Sequence, residues 1–275
     1  MTISAALDVS PKATPVNALL TAPILPTLLR LAIPNTVAMF GSALVAVAET
    51  SYIGRLGLEP LAAIALVFPF AMLTQMTSAG AMGGGVSSAI SRALGAGDQR
   101  RAATLALHAA IIGICGGLFF TLLMLVFGRQ FFSLLGGHGA VLEQACAYAN
   151  VLFSGAIAIW LVNTLASVIR GTGDMRLPSA TLIIVSILQV VIGGTFGLGL
   201  FGAPRLGMPG VASGQLTAYT LGAAFLIWYL ASGRSRLVLD FSSFTFQRAM
   251  FFDILKVGAV SCLSPLQTVL TILIF

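Results

Sequence analysis

The chain has 275 residues, of which 58% are hydrophobic and only 8% are charged, and its mean hydropathy is +1.02. Soluble domains usually carry about 25% charged residues, so this composition excludes a water-soluble globular protein and predicts a protein embedded in lipid. The net charge of +6 does not indicate a nucleic-acid partner, because the lysines and arginines stand singly at the ends of apolar segments.

The first 27 residues precede the first long apolar segment. They contain four prolines and lack the basic start followed by an apolar stretch that signal peptides have. We interpret residues 1–27 as an N-terminal tail on the cytoplasmic side.

Seven later segments have the roughly 20 apolar residues that a helix needs to cross the hydrocarbon core. They are 28–53, 61–86, 103–127, 141–169, 178–202, 207–231 and 250–275. The predicted fold is therefore all-α, a polytopic membrane helix bundle. It has a six-helix lobe at 28–231, a cytoplasmic linker at 232–249 and one further helix at 250–275.

The basic residues predict the orientation of these helices. Eleven of the 14 lysines and arginines fall on the side that holds the N-terminal tail and the loops after helices 2, 4 and 6. Because cytoplasmic loops carry an excess of Lys and Arg, we expect a multi-pass protein of the inner (plasma) membrane with a cytoplasmic N-terminus.

Two of the cytoplasmic loops share a short pattern. Gly97–Arg100 and Gly173–Arg176 each contain a glycine, then an aspartate, and then an arginine two residues further on. Glycine permits a tight turn, aspartate stabilises it and arginine lies at the membrane surface. The pattern indicates either a recurring turn or an internal structural repeat, which is common in transporters.

Glu49, near the outer end of helix 1, is the one acidic residue that we expect to be buried in a span, since Glu143 and Asp253 stand in the first turn of theirs. A charge within the hydrocarbon costs about 2.5 kcal/mol or more, so such a residue is read as functional by default. The alternative is that Glu49 is solvated at the outer interface, close to Arg55.

Several neutral polar residues also lie at membrane depth, and each alone is more often an interhelical hydrogen bond than a binding group. Asn163 and Gln189 lie in the middle of consecutive spans, from which they can face a common cavity with Glu49. Further residues of this kind include Gln75, Tyr148, Gln215 and Tyr219.

The sequence contains no set of residues typical of an enzyme. The motifs GxSxG, HExxH and GxxxxGK are absent, and the chain has two histidines and three scattered cysteines. We therefore predict no catalytic residue, no metal site and no cofactor apart from a coupling ion.

A series of short segments matches a known family in order and in spacing over nearly all of residues 28–231. They are Leu31–Pro34, Ala48–Gly57, Leu61–Ala63, Gly95–Asp98, Tyr148, Arg170–Pro178 and Phe201–Ala212. Together these segments resemble the multidrug and toxic compound extrusion (MATE) family.

The resemblance implies an antiporter of two six-helix lobes that exports organic cations or drugs in exchange for H⁺ or Na⁺. Glu49 stands where the family usually has Asp, which implies an ion-coupling role. Tyr148, Asn163 and Gln189 correspond to cavity or substrate positions. Where the family often has a second polar residue in helix 5, this chain has Gly193.

A full transporter of this family has about twelve helices, whereas this chain ends inside the seventh. We expect it to be a fragment that lacks a C-terminal lobe, or a subunit that pairs with a second chain, and to be inactive alone. The expected partners are membrane lipid and small organic cations. A flippase for lipid-linked sugars and a non-transporting membrane scaffold remain the alternatives, although a flippase would need mid-membrane arginines to hold a pyrophosphate.

Overall fold

A computed structural model describes residues 23–235, 237 and 246–274 of the chain. Within these residues all regular secondary structure is helical. The helices are α1 Ile24–Leu56, α2 Leu58–Gln75, a π-helix Met76–Met82, α3 Gly83–Gly95, α4 Gln99–Leu134, α5 Gly139–Ser154, α6 Ala156–Gly171, α7 Arg176–Leu198, a 3₁₀ turn Leu200–Gly202, α8 Met208–Ala231, α9 Arg248–Ser261 and α10 Leu263–Ile274.

The predicted all-α membrane bundle is confirmed. Six continuous helical stretches of the described chain are long and apolar enough to cross a membrane, and α5 with α6 adds a seventh span if the bent pair is counted as one. Helix α1 begins at Ile24, inside the segment interpreted as the tail. Residues 1–22 of that tail, and residues 236 and 238–245 of the predicted linker, lie outside the described residues.

The second span is interrupted by the π-helix, which the sequence did not predict. It joins α2 to α3 without a loop, so that residues 58–95 form one span. A π-helix inside an α-helix is rare and occurs frequently at functional sites. Here it begins one residue after Gln75, a residue of the site described below.

The fourth predicted span, 141–169, bends by 45° between α5 and α6 at Gly155. The end of α5 leaves backbone carbonyl groups without helical partners, and lipid offers no hydrogen bonds to satisfy them. Thr121 Oγ1 in α4 donates a hydrogen bond of 2.7 Å to the backbone carbonyl oxygen of Phe153 and so stabilises the bend.

Both predicted glycine–aspartate turns occur. The backbone of Gly97 has φ 77° and that of Gly173 has φ 88°, values that favour glycine. Asp98 Oδ1 accepts from the backbone N–H of Arg101 at 2.8 Å and caps α4, whereas Asp174 Oδ1 accepts from the N–H of Arg176 at 2.9 Å. Each turn thus sets the start of the next span.

Helix α6 lies at the centre of the lobe and is buried along most of its length. Glycines on the neighbouring helices let backbones approach closely, as is typical of helix pairs in lipid. A Cβ atom at Gly113 of α4 would lie 3.1 Å from Thr164 Oγ1 of α6, and one at Gly85 of α3 would lie 3.0 Å from the Ile254 carbonyl oxygen of α9.

Large apolar side chains such as Phe40, Phe119 and Phe127 are exposed on the outside, as expected for a surface that faces lipid.

Candidate functional site

Helices α1, α2, α5, α7 and α8 surround a cavity of about 350 Å³. Its lining combines aliphatic and aromatic side chains with hydroxyl and amide groups and one carboxyl group. The lining residues are Ser42, Val45, Ala46, Glu49, Ile64, Val67, Phe68, Ala71, Met72, Gln75, Tyr148, Ser186, Gln189, Gln215 and Tyr219. Of these, only Glu49 can carry a charge at neutral pH.

Glu49 lies on α1, about two turns before the helix ends at Leu56. Its Oε1 accepts a hydrogen bond of 2.6 Å from Gln189 Nε2 of α7. Its carboxylate makes no ion pair with Arg55. The ion pairs among the described residues are Arg101–Asp253 and Arg129–Glu143. The structure places Glu49 in the wall of the cavity.

Gln189 of α7 contacts α8 as well as α1. It is 7% exposed, and its Nε2 also lies 3.5 Å from Gln215 Oε1. The close crossing of α7 and α8 permits this contact, because a Cβ atom at Gly193 would lie 3.0 Å from the Val211 carbonyl oxygen. The glycine that stands where the related family often has a polar residue thus serves the packing of the two helices.

A second group of hydrogen bonds lies beside the first, centred on Gln75 of α2. Gln75 Nε2 donates to the Tyr219 hydroxyl oxygen at 2.8 Å, and Gln75 Oε1 accepts from Asn163 Nδ2 at 2.7 Å. Asn163 Nδ2 also donates to Ser78 Oγ at 2.8 Å. This group joins four elements of the lobe: α2, the π-helix, α6 and α8.

Of the predicted site residues, Glu49, Tyr148 and Gln189 line the cavity together. Asn163 is not among the lining residues. It is 2% exposed and lies behind Gln75, to which it bonds. The prediction did not include Gln75, Gln215 and Tyr219 as site residues, and their only signal in the sequence was a polar side chain in an apolar span.

The arrangement suits the binding of a single positive charge. No group of three or more His, Cys, Asp or Glu side chains that could hold a metal ion occurs in the part of the chain that the structure describes. A lone carboxyl group with amide and hydroxyl neighbours can bind a proton, a small monovalent cation or the cationic group of an organic molecule. The apolar remainder of the wall can contact the body of such a molecule.

Known proteins resemble this chain in sequence and in structure. The sequence profile of the MatE family matches residues 34–195. A FAD transporter from Shewanella oneidensis is 30% identical over 224 residues, which cover 81% of this chain and 49% of that protein. A probable multidrug resistance protein, YoeA of Bacillus subtilis, is 27% identical over 68% of this chain and 41% of its own length.

Solved structures show the same fold. An outward-facing multidrug resistance transporter of the MATE family superimposes with a TM-score of 0.82 and 31% sequence identity, over 90% of this chain and 54% of its own. The chain spans about half the length of the curated relatives and solved structures that it matches.

Proposed function

The chain belongs to the MatE family of membrane transporters, whose members are transporters and not enzymes, and it is a multi-pass membrane protein. From this premise we propose that it forms one lobe of a secondary active antiporter, which exports organic cations or drugs in exchange for H⁺ or Na⁺. We further propose that the lobe lies in the inner (plasma) membrane with a cytoplasmic N-terminus.

One observation carries the proposal: a single carboxyl group, that of Glu49, lies in a cavity whose other described lining residues are neutral. The ionised carboxylate attracts an organic cation, whereas binding of H⁺ or Na⁺ neutralises it and removes that attraction. The two cations therefore compete for one group, and this competition exchanges them when the cavity opens to alternate sides of the membrane.

The activity requires a second lobe under this proposal, since the relatives that the chain matches are about twice as long. We propose that a C-terminal lobe or a second chain supplies it. The cavity would then lie between lipid-facing helices and the partner lobe, where binding sites of transporters with repeated halves are usually found.

A flavin nucleotide is a second candidate cargo, because the FAD transporter of Shewanella oneidensis is 30% identical to this chain. Such a molecule carries a negatively charged pyrophosphate, which proteins usually hold with Arg or Lys. The cavity lining contains neither, and its one charge is negative. The same argument disfavours a flippase for lipid-linked sugars, so the charge of the cavity supports cationic cargo.

The test measures efflux of a fluorescent organic cation from vesicles that carry this lobe together with its second lobe. We expect Glu49→Gln to abolish exchange driven by an imposed H⁺ or Na⁺ gradient, since the amide cannot gain or lose a charge. The two gradients, applied separately, identify the coupling ion.

Glu59→Gln is the matched control, because Glu59 is an exposed glutamate in the first turn of α2, outside the cavity. Exchange should persist in this variant. Wild-type rates in Glu49→Gln would refute the coupling role, and export of FAD without export of cations would refute the proposed cargo.

A further inference from the structure

One backbone atom, the carbonyl oxygen of Thr74, determines which groups donate and which accept in the hydrogen bonds around Gln75. Ser78 Oγ lies 2.7 Å from the carbonyl oxygen of Thr74. A carbonyl oxygen only accepts hydrogen bonds, so Ser78 donates its single hydroxyl hydrogen to it. Its nearest alternative, the Gln75 carbonyl oxygen at 3.3 Å, is an acceptor too. Ser78 therefore offers only lone pairs to its remaining neighbour, Asn163.

This constraint passes from Ser78 to Asn163 and then to Gln75. Asn163 must turn its amide nitrogen toward Ser78, at 2.8 Å, and the second hydrogen of that nitrogen is donated to Gln75 Oε1 at 2.7 Å. With its oxygen committed to Asn163, Gln75 turns its own nitrogen to Tyr219. Amide orientation is thus set by the network itself.

The end of the series is the hydroxyl group of Tyr219. Gln75 Nε2 donates to its oxygen at 2.8 Å, so in this bond the tyrosine oxygen is the acceptor and its hydrogen is directed elsewhere. Tyr219 is 7% exposed and lines the cavity that also contains Glu49. No acceptor for this hydrogen is found among the described residues, which leaves the cavity as its direction.

We infer that Tyr219 is a specificity-determining residue, whose oriented hydroxyl group donates a hydrogen bond to an acceptor atom of the cargo. The inference rests on the proposed function and narrows its substrate class. The preferred cargo carries a positive charge, which pairs with Glu49. At a separate position it carries a carbonyl, ether or similar oxygen, which accepts the hydrogen bond from Tyr219. Unlike Tyr219, the hydroxyl group of Tyr148 has no hydrogen-bond partner among the described residues and is not restricted to donation.

Binding of two matched cations to this lobe together with its second lobe, in lipid nanodiscs, tests this inference by titration calorimetry. One probe is (para-acetylphenyl)trimethylammonium, which has a carbonyl acceptor. The other is (para-isopropylphenyl)trimethylammonium, which has the same number of non-hydrogen atoms and no acceptor. We expect Tyr219→Phe to raise the dissociation constant of the acetyl probe about three- to tenfold, the effect of one neutral hydrogen bond, and to leave the isopropyl probe unchanged.

A second variant keeps the hydroxyl group and removes its free hydrogen. In Gln75→Glu both side-chain oxygens accept, so Tyr219 donates to the new carboxylate and not to the cargo. The added charge strengthens binding of both cations. The ratio of the isopropyl probe's dissociation constant to that of the acetyl probe should nevertheless fall to the value found for Tyr219→Phe. Tyr229→Phe is the control, because Tyr229 lies on the same helix, outside the cavity, and its hydroxyl donates to the Arg234 carbonyl oxygen at 3.4 Å.

The outcomes separate the inference from the proposed function. If the wild-type two-lobe protein binds neither cation, the proposed cationic cargo is wrong and the inference fails with it. If it binds both cations but Tyr219→Phe changes both equally, or neither, the oriented donor is wrong while the proposed function stands.

Discussion

The crossing of α7 and α8 holds Gln189 against Glu49, and a single methyl group tests this connection. At Gly214 of α8, an added Cβ atom would lie 2.6 Å from the carbonyl oxygen of Gln189, whereas ordinary contacts begin at 3.4 Å. The obstructing atom belongs to the backbone and cannot rotate away. The backbone nitrogen of Gly193 lies closer still to this Cβ atom, so the helices must separate by at least about 0.8 Å, the difference between these two distances.

Gly214→Ala should have two measurable effects. Overpacking of a well-packed core costs about 1–3 kcal/mol, so the thermal unfolding temperature in detergent should fall. The same shift would lengthen the 3.5 Å contact from Gln189 of α7 to Gln215 of α8 to roughly 4.3 Å and break it. Gln189 then loses its support on α8 for the bond to Glu49, so cation binding should weaken as well.

Gly41→Ala is the control for this variant. A Cβ atom at Gly41 of α1 meets nothing within 4 Å, and alanine is the better helix former, so stability should be unchanged or higher. If Gly214→Ala unfolds and binds cations like the wild type, the close crossing does not position Gln189, and the link between packing and the site is refuted.

Two further predictions concern stability. Thr164 is fully buried and its hydroxyl group has no hydrogen-bond partner in the described chain, so Thr164→Val should keep or raise the unfolding temperature; a clear loss would reveal an undetected partner. The 3.0 Å ion pair of Arg101 with Asp253 joins α4 to α9, but both side chains are about half exposed, so a double-mutant cycle to Ala should give a coupling of about 0.2–1 kcal/mol that decreases with salt.

Local sequence was sufficient for part of the fold. The apolar segments, their approximate limits and the turns at Asp98 and Asp174 follow from residues that are near one another in the chain. The sequence also singled out Glu49, because a carboxyl group is conspicuous in an apolar helix. It did not predict the π-helix after Gln75 or the 45° bend at Gly155, since both depend on packing against other helices.

The cavity lining was harder to predict, and Asn163 shows why. Its position in the middle of a span suggested a cavity residue, yet the rotation of α6 turns it to the back of Gln75. Gln75 and Tyr219 lie in the wall, although nothing in their local sequence distinguishes them from other polar residues at membrane depth. The rotation of a helix about its own axis depends on all the helices that it contacts.

The amino-acid sequence alone determined that this protein lies in a membrane, is built of helices and carries the carboxyl group of Glu49 within an apolar stretch of its first span. These properties depend on the transfer of each segment from water to lipid, which is a sum over neighbouring residues. Only the tertiary structure decided which polar groups meet. The bonds of Gln189 with Glu49 and of Gln75 with Tyr219 join residues 140 and 144 positions apart, and no local pattern records such pairs.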